Sequence, residues 1–292
     1  GYQTTLNHLR GFDSYNKRKL DFDTIDLEFH RDFTEYLTTA PVNEEGKPLL
    51  LSANTVGSNF QRIKAVLNEA TERGYNSNMT FRSKYFVKQT EESDTIYLSD
   101  KELQELQDLD LSESPRLDNV RDLFLIGCFT GLRFSDFSIL KPASIKNGFI
   151  RITQVKTGNP VTIPVHPVVK KLLEKRGGET PRAISNEKIN AYLKELGQML
   201  PSLAAAETKT ITKGGAKVVK TLHKWELLTT HTARRSFATN EYLAGTPSLT
   251  IMAITGHKTE KAFLRYIRVT LEEHAHKMKS LWDKRSSGLK AV

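Results

Sequence analysis

The chain has 292 residues, 38% of them hydrophobic, which is enough for packed cores of ordinary size in about two domains. It carries 43 Lys and Arg against 34 Asp and Glu, a net charge of +9 that favours a polyanionic partner such as nucleic acid. A single cysteine, Cys128 in the apolar run LFLIGCF, excludes a disulfide framework, and no apolar run approaches the ~20 residues of a bilayer-spanning helix. A soluble, cytoplasmic protein with no membrane partner is expected. The start at Gly1 rather than Met suggests a preceding module outside this sequence.

In chain order, the first ~90 residues read as helical. Leu6, Leu9 and Phe12 recur at helical spacing, as do Leu27, Phe33 and Leu37. Between Ser52 and Arg73, the residues Val56, Phe60, Ile63, Leu67 and Ala70 make one apolar stripe, and Gly74 follows where a left-handed cap belongs. The polar stretch 87–95 reads as a linker, giving a helical domain over 1–90 and a second domain over 91–292.

The second domain opens with a capping box, Ser99 with Glu102, ahead of a short helix. The segment from Leu117 to Thr130 is apolar on most sides and therefore central, and Gly131 ends it. GFIRITQV and PVTIPV alternate around TGN, which predicts a hairpin with Lys156 at its tip. Helices follow over Val168–Arg176 and Asn186–Leu200, then a second hairpin over 208–222 turning at Gly214 and Gly215. Further helices are expected over Thr232–Ala244, over Ser248–Ile254 and around Tyr266. In the tail, Leu271, Ala275, Met278 and Trp282 share one helical face.

Within this frame six residues carry chemistry: Arg133 in TGLRFSD, Lys156 in VKTGN, His231 and Arg234 in HTARR, His257 in TGHK and Tyr266 in LRYI. Each alone is weak evidence; His-x-x-Arg arises by chance about 0.3 times in a chain this long. Their order and local context give them weight together. A phosphodiester gains charge on its non-bridging oxygens during attack, and two guanidinium forks, Arg133 and Arg234, suit it. The Tyr266 phenol can attack phosphorus once deprotonated, with His231 as base, while Lys156 on a hairpin tip protonates the leaving oxygen. His257 would donate a hydrogen bond to the phosphate, and Asp136 would orient Arg133 or cap a helix. No Walker loop, HExxH or paired CxxC is present, and His274 with His276 sit on different faces of a helix, so neither cofactor nor metal is expected.

TGLRFSD, VKTGN, HTARRSFAT and ITGHKTEKAFLRYI resemble the motifs of the tyrosine recombinases, the phage-integrase family, and the resemblance spans nearly the whole chain. The 208–222 insert and KTEKAFLRYI are most similar to integrases of Bacteroides-type conjugative or mobilizable elements. One departure is Thr255, where the family usually has Leu before Gly-His; it reads as a change at a packing position.

The resemblance implies a mainly α fold with small β-hairpins: a helical, SAM-like core-binding domain and a mixed α/β catalytic domain, clamping DNA in a C shape. It implies a site-specific recombinase that cleaves and rejoins strands through a 3′-phosphotyrosyl link for integration and excision of a mobile element. The implied partners are double-stranded attachment sites, a homotetramer on synapsed DNA and a host DNA-bending factor, in a bacterial, nucleoid-associated setting. Alternatives are a type IB topoisomerase, which would have no detachable C-terminal helix, and a non-catalytic DNA-binding regulator, which would lack a catalytic residue.

Overall fold

The computed structural model describes residues 1–17, 19–39, 48, 50–87, 90, 91, 95–267 and 269–289. Residues 88, 89 and 92–94 of the expected linker lie outside the described residues. Helices α1 (Tyr2–Asn16), α2 (Leu27–Thr39) and α3 (Ala53–Glu72) come first, followed by α4 (Asp100–Asp108), α5 (Pro115–Thr130) and the single turn α6 (Phe134–Phe137). Strands β1 (Ile145–Lys146), β2 (Phe149–Thr153) and β3 (Pro160–Pro164) lead to α7 (Pro167–Lys175) and α8 (Asn186–Gln198). A hairpin, β4 (Ala206–Lys213) and β5 (Ala216–His223), precedes α9 (Thr230–Ala244), α10 (Ser248–Thr255), α11 (Glu260–Leu264) and α12 (Leu271–Leu289). Among the described residues, no helix is long and apolar enough to cross a membrane.

The chain divides into two compact units: Gly1–Asp94 with Thr208–Thr221, and Thr95–Glu207 with Leu222–Val292. The β4–β5 hairpin thus lies within the second stretch of sequence but packs with the first.

Aromatic rings dominate the core of the first unit. Phe12 meets Phe29 and Phe33 edge-on at 5.6 and 5.3 Å between centroids, and Phe60 meets Phe86 edge-on at 5.5 Å. Such pairs add about 0.5–1.5 kcal/mol each to the gain from burial. Phe29, Phe33 and Leu37 recur every four residues and form the buried stripe of α2. Leu27 lies two residues before Phe29, on the opposite side of the helix, and is 40% exposed. Leu6 is 41% exposed for a similar reason, since Thr5 and Phe12 define the inner face of α1. Ser52 caps α3 as its position suggests. The hairpin joins this unit through Glu91, whose carboxylate accepts from the Thr212 amide at 3.0 Å and hydroxyl at 2.7 Å. These bonds hold the Glu91 pKa below the usual carboxylate value. A bridge between Ser52 and Lys213 and a bond from the Gly214 amide to the Leu51 carbonyl complete the contact.

In the second unit, α5 is buried on nearly every side, as a helix apolar all round must be. Its two acidic residues are paired: Asp122, fully buried, accepts from Arg121, Lys175 and Arg176 at 3.2, 2.8 and 2.9 Å and so fastens α7 to α5. Asp118 joins the same cluster. Gly131 ends α5 at φ 66°, and a Cβ there would stand 2.4 Å from the Phe237 ring of α9. Only glycine meets both demands. The capping box of Ser99 and Glu102 forms as expected.

Strands β1, β2 and β3 make one antiparallel sheet in that order, with Ile150 opposite Ile163 and Ile152 opposite Val161 on the face turned to the core. The short β1 is an addition to the expected hairpin. The tail helix α12 rests on its own unit by polar contacts: the Tyr97 hydroxyl donates to Glu273 at 2.5 Å, and Lys277 sits 3.9 Å from the Tyr242 ring. Leu271, Met278 and Trp282 remain exposed.

Candidate active site

All six chemistry-bearing residues fall in the second unit. Arg133 is the N-cap of α6, placed there by the Gly131 turn that ends α5. Asp136 was expected either to orient this guanidinium or to cap a helix; the guanidinium donates instead to Gln154 Oε1 at 2.9 Å. Asp136 is buried, faces the hairpin and accepts the Val155 N–H at 2.8 Å. That bond grips the turn carrying Lys156, because the peptide N–H of residue 155 is left out of the β-ladder. The Asp136 Oδ2 atom is buried with no hydrogen-bond partner among the described residues.

Gln154 is a junction that sequence reasoning passed over. Its side chain is fully buried. Its Oε1 accepts from Arg133 and, at 2.9 Å, from the Thr157 hydroxyl, while its Nε2 donates to the Thr255 carbonyl at 3.2 Å. Arg133 has only donors and the carbonyl only accepts, so this amide orientation is fixed by its partners. Its backbone closes the turn, donating to the Asn159 carbonyl and accepting from the Gly158 N–H, both at 2.9 Å. Lys156 stands exposed at the apex. A lone glutamine at the end of an alternating strand carries no signal of this role in one sequence.

Arg234 comes from the second turn of α9 and is fully buried. It donates to two backbone carbonyls, Gly131 at 2.9 Å and Thr255 at 2.5 Å, its Nη2 also faces the His257 ring, and its Nε has no partner among the described residues. Burial and the positive charge of Arg133 lower its pKa, Tyr266 and Asp136 oppose them, and the guanidinium stays cationic. A buried cation bonded to carbonyls rather than to a carboxylate is costly unless an anion is to be bound.

Gly256 ends α10 at φ 71°, and a Cβ there would stand 2.4 Å from Gln154 Oε1, so the Gly-His turn needs glycine for conformation and for space. His257 follows. Its Nε2 lies 3.3 Å from Arg234 Nη2, and its ring centroid lies 4.7 Å from that of Tyr266. Burial first, then Arg234 and Arg133, push His257 down to a pKa of about 4. Thr255 is more than a packing position: its hydroxyl lies 2.8 Å from His257 Nδ1.

Tyr266 lies just past the end of α11 at Leu264, in a turn rather than within a helix; Thr259 at the α11 N-terminus and the buried Phe263 fix its approach. Its ring centroid is 5.5 Å from the Arg234 guanidinium carbon and 5.8 Å from that of Arg235. Arg235, the second arginine of HTARR, was not singled out from sequence. His231 is lowered in pKa by loss of water on its protein side, then by Arg235, Arg234, Lys156 and Arg133. One field therefore spans all these residues, and an imidazole within it stays neutral at pH 7.

Residues 1–88 match the model of the Phage integrase SAM-like domain, and residues 96–273 match that of the Phage integrase family. A search of curated proteins gives no match. Among solved structures, the chain resembles a lambda integrase(75–356) dimer bound to a COC′ core site (TM-score 0.62, 16% identity, 92% of this chain and 89% of that one). It also resembles the Tn1549 transposon integrase (aa 82–397) in complex with circular intermediate DNA (TM-score 0.60, 15% identity, 95% and 94%). A third similar structure is a lambda integrase tetramer bound to a Holliday junction (TM-score 0.58, 17% identity, 92% and 72%). These likenesses establish the fold, a mainly helical chain with a SAM-like domain ahead of a catalytic one. The family match extends over more than half of the sequence and contains every residue of the cluster around Arg234: the chain belongs to the phage integrase family, whose members are tyrosine site-specific recombinases.

Proposed function

We propose that this protein is a site-specific DNA recombinase that cleaves and rejoins strands through a 3′-phosphotyrosyl link, in integration and excision of a mobile element of the Bacteroides conjugative or mobilizable type. The observation that carries the reading is the pair Arg133 and Arg234, cations with neutral acceptors, the second of them beside the Tyr266 ring. A scissile phosphate supplies the missing anion.

In the step we envisage, the Tyr266 oxygen bonds to phosphorus as its proton passes to His231, and the bond from phosphorus to the 5′ oxygen breaks. Lys156 then gives a proton to that oxygen. The charge gathering on the non-bridging oxygens is met by Arg133 and Arg234. The phosphotyrosyl bond keeps the energy of the phosphodiester, so rejoining is the same exchange in reverse.

Residues 1–90 act as the core-site binding domain and 91–292 as the catalytic domain. The working assembly is a homotetramer on paired attachment sites, aided by a host DNA-bending factor. The exposed Leu271, Met278 and Trp282 on α12 support docking onto a neighbouring protomer and favour a recombinase over a solitary topoisomerase. The test is incubation with a nicked duplex carrying the element's junction, followed by a denaturing gel. A covalent protein–DNA band should form and be absent for Tyr266→Phe, which should still bind. A band persisting in that variant overturns the assignment.

A further inference from the structure

We infer that Thr255 is a positioning residue for Arg234, acting by two routes: its carbonyl holds the guanidinium directly, and its hydroxyl fixes the tautomer through which His257 holds the same nitrogen. The inference rests on the recombinase reading for its consequence in catalysis, but its geometry stands apart from it.

The Thr255 hydroxyl lies 2.6 Å from the Ile251 carbonyl, one turn back in α10. A carbonyl only accepts, so the single hydroxyl proton is committed there. What Thr255 Oγ1 can offer His257 Nδ1, at 2.8 Å, is a lone pair, and the proton in that bond must be on Nδ1. The other side of the ring gives the same answer independently. Arg234 Nη2, 3.3 Å from Nε2, has hydrogens and no lone pair, so Nε2 must be the acceptor. Both ends of the imidazole thus call for one neutral tautomer, protonated on Nδ1. The depressed His257 pKa agrees, because the charged form would put a second N–H against the arginine.

The Arg234 Nη2 group is then held by two acceptors that both trace to residue 255: the carbonyl at 2.5 Å and, by way of the hydroxyl, the imidazole. Thr255 is itself fully buried and cannot turn to water. In this tautomer His257 has no proton to offer a phosphate oxygen from Nε2. In the DNA-free protein it serves as a support for Arg234. A leucine at position 255 could supply the first route but not the second.

Thr255→Val keeps the shape and the carbonyl and removes the hydroxyl; Thr255→Ser restores the hydroxyl. In DNA-free, 15N-labelled protein, long-range 1H–15N correlations of the imidazole should place the His257 proton on Nδ1 in the wild type and in Thr255→Ser. In Thr255→Val the ring should become a mixture of tautomers. Formation of the covalent adduct should slow about fivefold in Thr255→Val, roughly the worth of one hydrogen bond, and recover in Thr255→Ser, with duplex binding unchanged in both. A wild-type proton on Nε2, or a valine variant that keeps both spectrum and rate, overturns the inference. A protein that shows the expected tautomers yet cleaves no DNA would overturn the recombinase reading and leave this geometry standing.

Discussion

Replacing Gln154 by methionine fills nearly the same buried space while deleting three hydrogen bonds, to Arg133, Thr157 and Thr255. Their losses differ in kind. The Thr255 carbonyl keeps its bond from Arg234, and Thr157 is only partly buried and can turn to water. Arg133 loses a charge-assisted acceptor with no substitute among the described residues, a bond of the class worth about 1.5–3 kcal/mol. If that bond sets where the guanidinium meets the transition state, the rate of adduct formation should fall about 10- to 150-fold. Binding to intact duplex should change little, because affinity comes mainly from many phosphate contacts. The assay is single-turnover adduct formation on a nicked duplex, with binding followed by gel shift and folding by thermal melting. A rate within about threefold of wild type, at the net worth of a minor bond, would refute the reasoning, and so would a parallel loss of binding.

Lys156→Ala should be largely rescued by a substrate with a 5′-bridging phosphorothiolate, whose sulfur leaves without a proton; no rescue in the adduct assay would give the lysine a positioning role instead. Asp122→Asn should cost about 3 kcal/mol of stability, at the low end for breaking a buried ion pair, read from denaturant unfolding; a loss below about 1 kcal/mol would mean that Asp118 alone satisfies the three cations. The His257 pKa falls from an ordinary 6.5 to about 4 on folding, so the unfolded chain binds more protons between those values. Its contribution to stability is therefore complete above about pH 6.5 and is lost as pH falls towards 4, and His257→Gln should flatten the melting temperature across that window. An unchanged slope in that variant would contradict the assignment.

The order of elements was legible because each rests on local rules. Ser99 with Glu102 announced its helix, and the alternation of Ile150, Ile152, Val161 and Ile163 announced a sheet with one face buried. The residue types that the structure gathers around Arg234 could be picked out in order from their motifs, and their roles remain those of the proposal above. What could not be read were partnerships across distance. Asp136 is closest in sequence to Arg133, yet the chain turns it to the Val155 amide and brings Gln154, 21 residues away, to the arginine. Thr255 looked like a packing position because nothing in a linear string says that a hydroxyl will face an imidazole two residues on. Leu6 and Leu27 fit a helical period but not the face that the aromatic rings had claimed.

The placement of the β4–β5 hairpin sets an order of events during synthesis. The aromatic core of the first unit is complete by Phe86, so that unit can collapse as soon as it leaves the ribosome. Glu91, Ser52 and Leu51 nevertheless wait for Thr212, Lys213 and Gly214, which emerge only after α4 to α8 have been made. At about 5–20 residues per second that delay lasts several seconds or more. The nascent first unit spends it with an open edge, and its last seam closes when the chain has already committed most of the second.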